Sequence, residues 1–191
     1  MIIASDEDPE TVRVKAEFEK HRTDFFSAIG QCITRYQYVE DYLPKVFIAA
    51  LGGNAEKAAA IFVNVRGLEP KLKIILASLT GVDESIMFRW RLLSERVVSA
   101  SKARNQIAHA RTVQNFGLAK VPPCEHGKIG SIIRFPDPQM ELQILGKKNP
   151  CVWTLERLIK ETNINNKLYF NLVAFSMTLR GEEPFPHLLE E

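Results

Sequence analysis

Arg104, Asn105 and His109 fall within about a turn and a half of helix near the middle of this chain. Asn105 and His109 are four residues apart and share a helical face. Arg104 and His109 lie roughly 140° apart around the axis, an angle that a long arginine can span. The three polar tips are therefore expected to converge. Their surroundings sharpen the point. Ile86, Trp90, Leu93, Val97, Ala100, Arg104, Ile107 and Arg111 step by four and three residues in turn, which makes one stripe on a helix. The stripe is apolar until Arg104. A charge at a core-facing position needs a partner or a ligand, because unpaired burial costs several kcal/mol.

The same stretch is basic. Between Arg89 and Arg111 it carries Arg89, Arg91, Arg96, Lys102, Arg104 and Arg111 against Glu95 alone. That charge suits a phosphate-bearing partner, and Arg96, Lys102 and Arg111 are the candidate contacts to it. A second stripe, Ile29, Ile33, Tyr36, Glu40, Leu43, Phe47 and Ala50, holds one misfit of its own, Glu40. Its carboxylate is the candidate partner for Arg104 or His109.

These residues need elements to hold them. Asp83 or Ser85 can cap the start of a helix that runs without Pro or Gly to Arg111. Upstream, residues 10–51 read as helix, in one or two pieces, with Pro44 kinking or opening it and Gly52-Gly53 ending it. Asn54 caps a short Ala-rich helix through about Val65. Another runs from about Glu69 to Leu79, with Pro70 tolerated in its first turn. Downstream the texture changes. Phe116–Val121, Ile129–Phe135 and Met140–Leu145 read as short strands, with Pro136-Asp137-Pro138 as a turn. Thr154 caps a last helix ending near Arg180, and Gly181 closes it.

The expected fold is thus mainly α: an up-down bundle of four to five helices with a small β-hairpin before the last long helix. A single domain over residues 10–181 is expected, with the hairpin inserted at about 113–146, a flexible start at 1–9 and a tail at 182–191. At 191 residues, 46% hydrophobic and 25% charged, the composition is that of a soluble globular protein. The net charge of +2 gives no global nucleic-acid signal, so any such role must rest on a local patch. Cys32, Cys124 and Cys151 are odd in number and form no C-x-x-C pair, which points to a reducing compartment. The acidic N-terminus lacks the apolar run of a signal peptide, and no apolar run is long enough to span a bilayer. The expected location is the cytoplasm, with no membrane partner. Cys124-Glu125-His126 offers too few ligands for a zinc site, so no metal or cofactor is expected. Trp90 and Trp153 read as core anchors. His21 and His187 have no chemical companions in sequence.

The string Arg104-Asn105-Gln106-Ile107-Ala108-His109, late in a long helix of a mainly helical chain, resembles the R-x(4–6)-H signature of the HEPN superfamily. The likeness covers about Ile29 to Arg111 plus the last helix. The hairpin lies outside the shared core. What the resemblance implies is a helical protein in which two protomers join their motifs into one composite site. In many members that site is a metal-independent endoribonuclease, and several members are toxins of toxin–antitoxin pairs or parts of RNA-targeting defence systems. Here Arg104 would hold the scissile phosphate, since a guanidinium bonds phosphate bidentately where an ammonium does not. His109 would move a proton at the 2′-hydroxyl or the leaving 5′-oxygen, imidazole having a reference pKa of about 6.5. Asn105 would orient His109 or the phosphate. The implied partners are a second copy of the chain, RNA or a nucleotide, and an antitoxin-type protein. Two other readings compete: a non-catalytic HEPN-like module that binds RNA, nucleotide or protein, and a structural domain in which Arg104, Glu40 and His109 specify packing.

Overall fold

The computed structural model describes residues 9–115, 139–143 and 152–184. Five helices and three short strands occupy them: α1 (Pro9–Leu51), α2 (Ala55–Asn64), α3 (Leu68–Ser78), α4 (Glu84–His109), β1 (Arg111–Asn115), β2 (Gln139–Gln143), β3 (Val152–Trp153) and α5 (Leu155–Leu179). The architecture is an all-α bundle carrying a small sheet.

Side chains cap the starts of α2, α4 and α5. The Asp83 carboxylate accepts the Ser85 N–H at 3.0 Å, Asn54 accepts that of Lys57 at 2.9 Å, and Thr154 accepts that of Arg157 at 3.3 Å. Gly181, at φ 72°, turns the chain left-handed after α5. The N–H of Gly181 then bonds the Thr178 carbonyl and that of Glu182 the Met177 carbonyl, a paired closure of otherwise orphaned acceptors. Gly52 and Gly53 both hold positive φ and turn the chain from α1 into α2.

The expected helix over residues 10–51 is present, as one piece. Pro9–Leu51 form a helix of 43 residues that runs through Pro44. Pro44 has no N–H to give the Glu40 carbonyl and its ring crowds that carbonyl, which together cost a helix interior about 3 kcal/mol. Packing outweighs that cost. Tyr42, Leu43, Val46 and Phe47 are all buried beside the proline, and each large side chain fully removed from water contributes about 1.5–3 kcal/mol.

Two apolar clusters lie one above the other. The upper one joins α1 (Tyr36, Val39, Leu43, Phe47) to Phe62 of α2, Ile75 of α3, Trp90 to Ala100 of α4, and Leu172 and Phe175 of α5. The lower one holds Phe25 and Cys32 of α1, Ile107 of α4, Met140 and Leu142 of β2, Trp153 of β3 and Leu158 of α5. Both α1 and α5 pass from the lower cluster to the upper along the chain, so they run parallel, while α4 runs against them. Trp90 stacks on Phe175 at 5.7 Å between ring centres. Truncating that tryptophan to alanine is expected to cost about 3–5 kcal/mol.

The sheet is antiparallel, in the order β1-β2-β3, with Arg111 opposite Gln143, Asn115 opposite Gln139, and Leu142 opposite Trp153. Alternation along β2 turns Met140 and Leu142 into the lower cluster. The strand expected at Met140–Leu145 is present as β2, and the other described strands differ from expectation. The first strand begins at Arg111, directly after α4, and a third strand forms at Val152–Trp153. The readings on Phe116–Val121, Ile129–Phe135 and the Pro136-Asp137-Pro138 turn fall outside the described residues. No helix among the described residues is long and apolar enough to cross a membrane.

Candidate functional site

Arg104 sits on α4 between Ala100 of the upper cluster and Ile107 of the lower one. It occupies the seam where the two cores meet. Its side chain is 31% exposed, and that of Glu40 on α1 is 29% exposed, so the pair is sheltered yet open on one side.

The guanidinium is held from three directions. Nη2 lies 3.4 Å from Glu40 Oε2, Nη1 donates to Asn105 Oδ1 at 2.8 Å, and Cζ stands 5.4 Å from the centre of the Tyr36 ring. The Tyr36 hydroxyl in turn donates to Glu40 Oε1 at 3.1 Å, and Ser101 of α4 hydrogen-bonds the same phenol. Glu40 thus takes a donor on each oxygen. Burial pushes the Tyr36 hydroxyl up to about 12, with the Glu40 carboxylate adding to the rise, so the phenol stays protonated and keeps donating at neutral pH. Arg104 keeps Nε–H and one proton on each terminal nitrogen for a further acceptor.

His109 is the last residue of α4. It is exposed and makes no hydrogen bond or ion pair among the described residues. Of the residues expected to converge, the structure joins Arg104, Asn105 and Glu40. It leaves His109 apart from them, one turn beyond Asn105. Lys102, Asn105 and His109 follow at i, i+3 and i+7, so they share one side of α4. Lys102 also stands at the rim of a cleft of about 440 Å³ between α3 and α4, floored by Leu72, Leu76, Trp90 and Val98. Arg96 is exposed about 120° around the helix from Lys102 and belongs to a different side.

Arg111 needs correction. The stripe places it on the helix, but α4 ends at His109 and Arg111 opens β1, exposed and paired in register with Gln143. The helix stops there because the backbone N–H and C=O groups of residues 111–115 enter the ladder with β2, a pairing no helical periodicity announces.

Tyr36 and Ser101 are the two members that sequence reading missed. Tyr36 stands four residues before Glu40, and Ser101 three before Arg104. That spacing was the available signal, but an aromatic on an apolar stripe reads as core. Among the described residues no group of three or more His, Cys, Asp and Glu side chains could hold a metal ion. Cys124, Glu125, His126 and His187 lie outside those residues. His21 accepts the Met140 N–H at 3.4 Å and so ties α1 to β2.

Comparison of the chain with protein-family models, with curated proteins and with solved structures finds no match.

Proposed function

We propose that this chain is a HEPN-like dimeric protein that cuts RNA phosphodiesters without a metal, using Arg104 and His109 from two protomers at one composite site. One observation carries the reading. A guanidinium at a core-facing position is oriented by Glu40, Tyr36 and Asn105 while a third of its side chain stays open, and His109, without a polar side-chain partner among the described residues, stands on the same stretch of helix.

The chemistry asks little more. Arg104 presents its free N–H groups to the non-bridging phosphate oxygens and offsets the charge that grows on them. One imidazole takes the proton of the 2′-hydroxyl. The 2′-oxygen bonds to phosphorus, the bond from phosphorus to the 5′-oxygen breaks, and an imidazolium returns a proton to that oxygen. The products are a 2′,3′-cyclic phosphate and a 5′-hydroxyl, with no net proton consumed. Two copies of His109 across a two-fold supply the two proton-transfer roles. Glu40 acts through Arg104, fixing the plane of its fork, and Lys102, on the His109 side of α4, meets the flanking phosphate. Toxin or defence work in the cytoplasm, with an antitoxin-type protein as partner, belongs to the same proposal.

The test is incubation of the purified protein with mixed-sequence RNA in excess chelator, beside an Arg104→Ala, His109→Ala double variant. Cleavage by the native protein alone supports the reading. Equal cleavage by both sinks it.

A second reading has an observation of its own. Both terminal nitrogens of Arg104 are already engaged within the chain, as they would be in a packing network that joins the two core clusters, or in a binding module without turnover. The first predicts that Arg104→Ala lowers stability and nothing else. The second predicts a dimer that binds RNA and leaves it intact.

A further inference from the structure

On the side of α1 turned about 140–160° away from Glu40 lie Arg35, Tyr38, Tyr42 and Lys45. There α1 meets α5, and four aromatic rings form a connected patch across the two helices. Tyr169 is its hub, 6.3 Å from Tyr38, 5.4 Å from Tyr42 and 5.3 Å from Phe170 between ring centres. Tyr42 is core and Tyr169 is partly buried against it. The outer two are open: Tyr38 is 44% exposed and Phe170 is 46% exposed. Cations flank the rings. Arg35 Cζ stands 5.6 Å from the Tyr38 ring and Lys45 Nζ stands 4.9 Å from the Tyr42 ring.

Both cations lie against rings and not against carboxylates. Neither Arg35 nor Lys45 forms an ion pair among the described residues. Of the acids on or just after these helices, Glu182 is held by Arg180 through two bonds of 2.7 and 2.8 Å, and Asp41 accepts the neutral Gln37 amide at 2.8 Å and forms no ion pair with Lys45. From Arg35 to Lys45 the helix rises about 15 Å, enough for a few bases stacked at about 3.4 Å. Exposed rings beside unpaired cations match the needs of a polynucleotide strand whose bases are free, because rings stack on bases while cations track phosphates. A duplex offers no such free faces.

We infer that the α1/α5 face bearing Tyr38, Phe170, Arg35 and Lys45 is a binding surface for single-stranded nucleic acid, separate from the Arg104 and His109 site. It goes beyond the nuclease reading and stands without it.

The experiment is fluorescence anisotropy with a labelled short 2′-O-methyl RNA, a DNA strand of the same sequence, and the corresponding duplex. Neither single strand has a 2′-hydroxyl to attack, so binding is read whether or not the chain cuts RNA. Both strands should bind more tightly than the duplex. Tyr38→Ala and Phe170→Ala should each weaken single-strand binding about fivefold or more, while Tyr38→Phe keeps the native affinity. Arg35→Gln should lower the slope of log affinity against log salt by about one. Far-UV circular dichroism and sedimentation of the same samples report fold and oligomeric state. Duplex binding equal to single-strand binding would overturn the inference. So would affinity untouched by Tyr38→Ala and Phe170→Ala in folded protein, or loss of a dimer on those substitutions with nucleic-acid binding unchanged.

Discussion

Arg104 Nη2 and Glu40 Oε2 meet at 3.4 Å although 64 residues separate them in the chain. They are the charged misfits of two otherwise apolar helical stripes, and the fold brings them together where the two core clusters abut. Each is about 30% exposed, so water screens the pair and reduces its contribution below that of a sealed one. A double-mutant cycle with Glu40→Gln and Arg104→Met is expected to give a coupling of about 0.5–1 kcal/mol by urea unfolding. Coupling of several kcal/mol would mark the pair as chiefly a structural device.

His109 separates function from stability more cleanly. It is exposed and contacts no polar group among the described residues, so His109→Ala should change unfolding free energy by less than about 0.5 kcal/mol. In the nuclease reading the same change lowers RNA cleavage about 100-fold or more. Thermal denaturation and a cleavage time course on one sample check both.

Tyr36 gives a pH signature. Its hydroxyl is raised from 10.0 to about 12 in the fold. The folded chain therefore holds this proton more tightly than the unfolded one. The stabilisation is fully present below pH 10 and is lost as pH rises from there through about 12. Tyr36→Phe should lose about 1 kcal/mol at neutral pH, through the hydrogen bonds to Glu40 and Ser101. It should also show a shallower alkaline loss of stability than the native chain. Urea unfolding across the alkaline range tests both, and parallel curves would contradict the assignment.

Cys32 should be inert. It is fully buried, and burial, with Glu161 nearby, pushes its thiol up to about 11. The thiolate is the reactive form. Alkylation at neutral pH followed by peptide mapping should leave the Cys32 peptide unmodified in native protein and label it in urea. Rapid labelling of the native chain would show that the lower core opens.

Helical periodicity made much of this arrangement legible. The stripes of α4 and α1 exposed Arg104 and Glu40 as misfits because a charge on an apolar face stands out at a spacing of three or four. Capping chemistry placed the starts of α2, α4 and α5, since Asn54, Asp83 and Thr154 satisfy donors that any helix leaves orphaned. What stayed hidden depends on distant partners. Pro44 reads as a kink or local opening, and α1 continues through it with Tyr42, Leu43, Val46 and Phe47 buried around the proline. Arg111 reads as helix, yet it pairs with a strand more than twenty residues away. Tyr36 reads as core, and only its contact with Glu40 reveals its hydroxyl as part of the site.

The most direct measurement uses an oligonucleotide of deoxyribose units with a single ribonucleotide inside it, incubated with protein in excess chelator. One cut is expected, on the 3′ side of the ribonucleotide, leaving a 2′,3′-cyclic phosphate, with no cut by the Arg104→Ala, His109→Ala variant. Cleavage of an all-deoxy strand, equal cleavage by the variant, or an intact oligonucleotide after incubation with folded, dimeric native protein would contradict it.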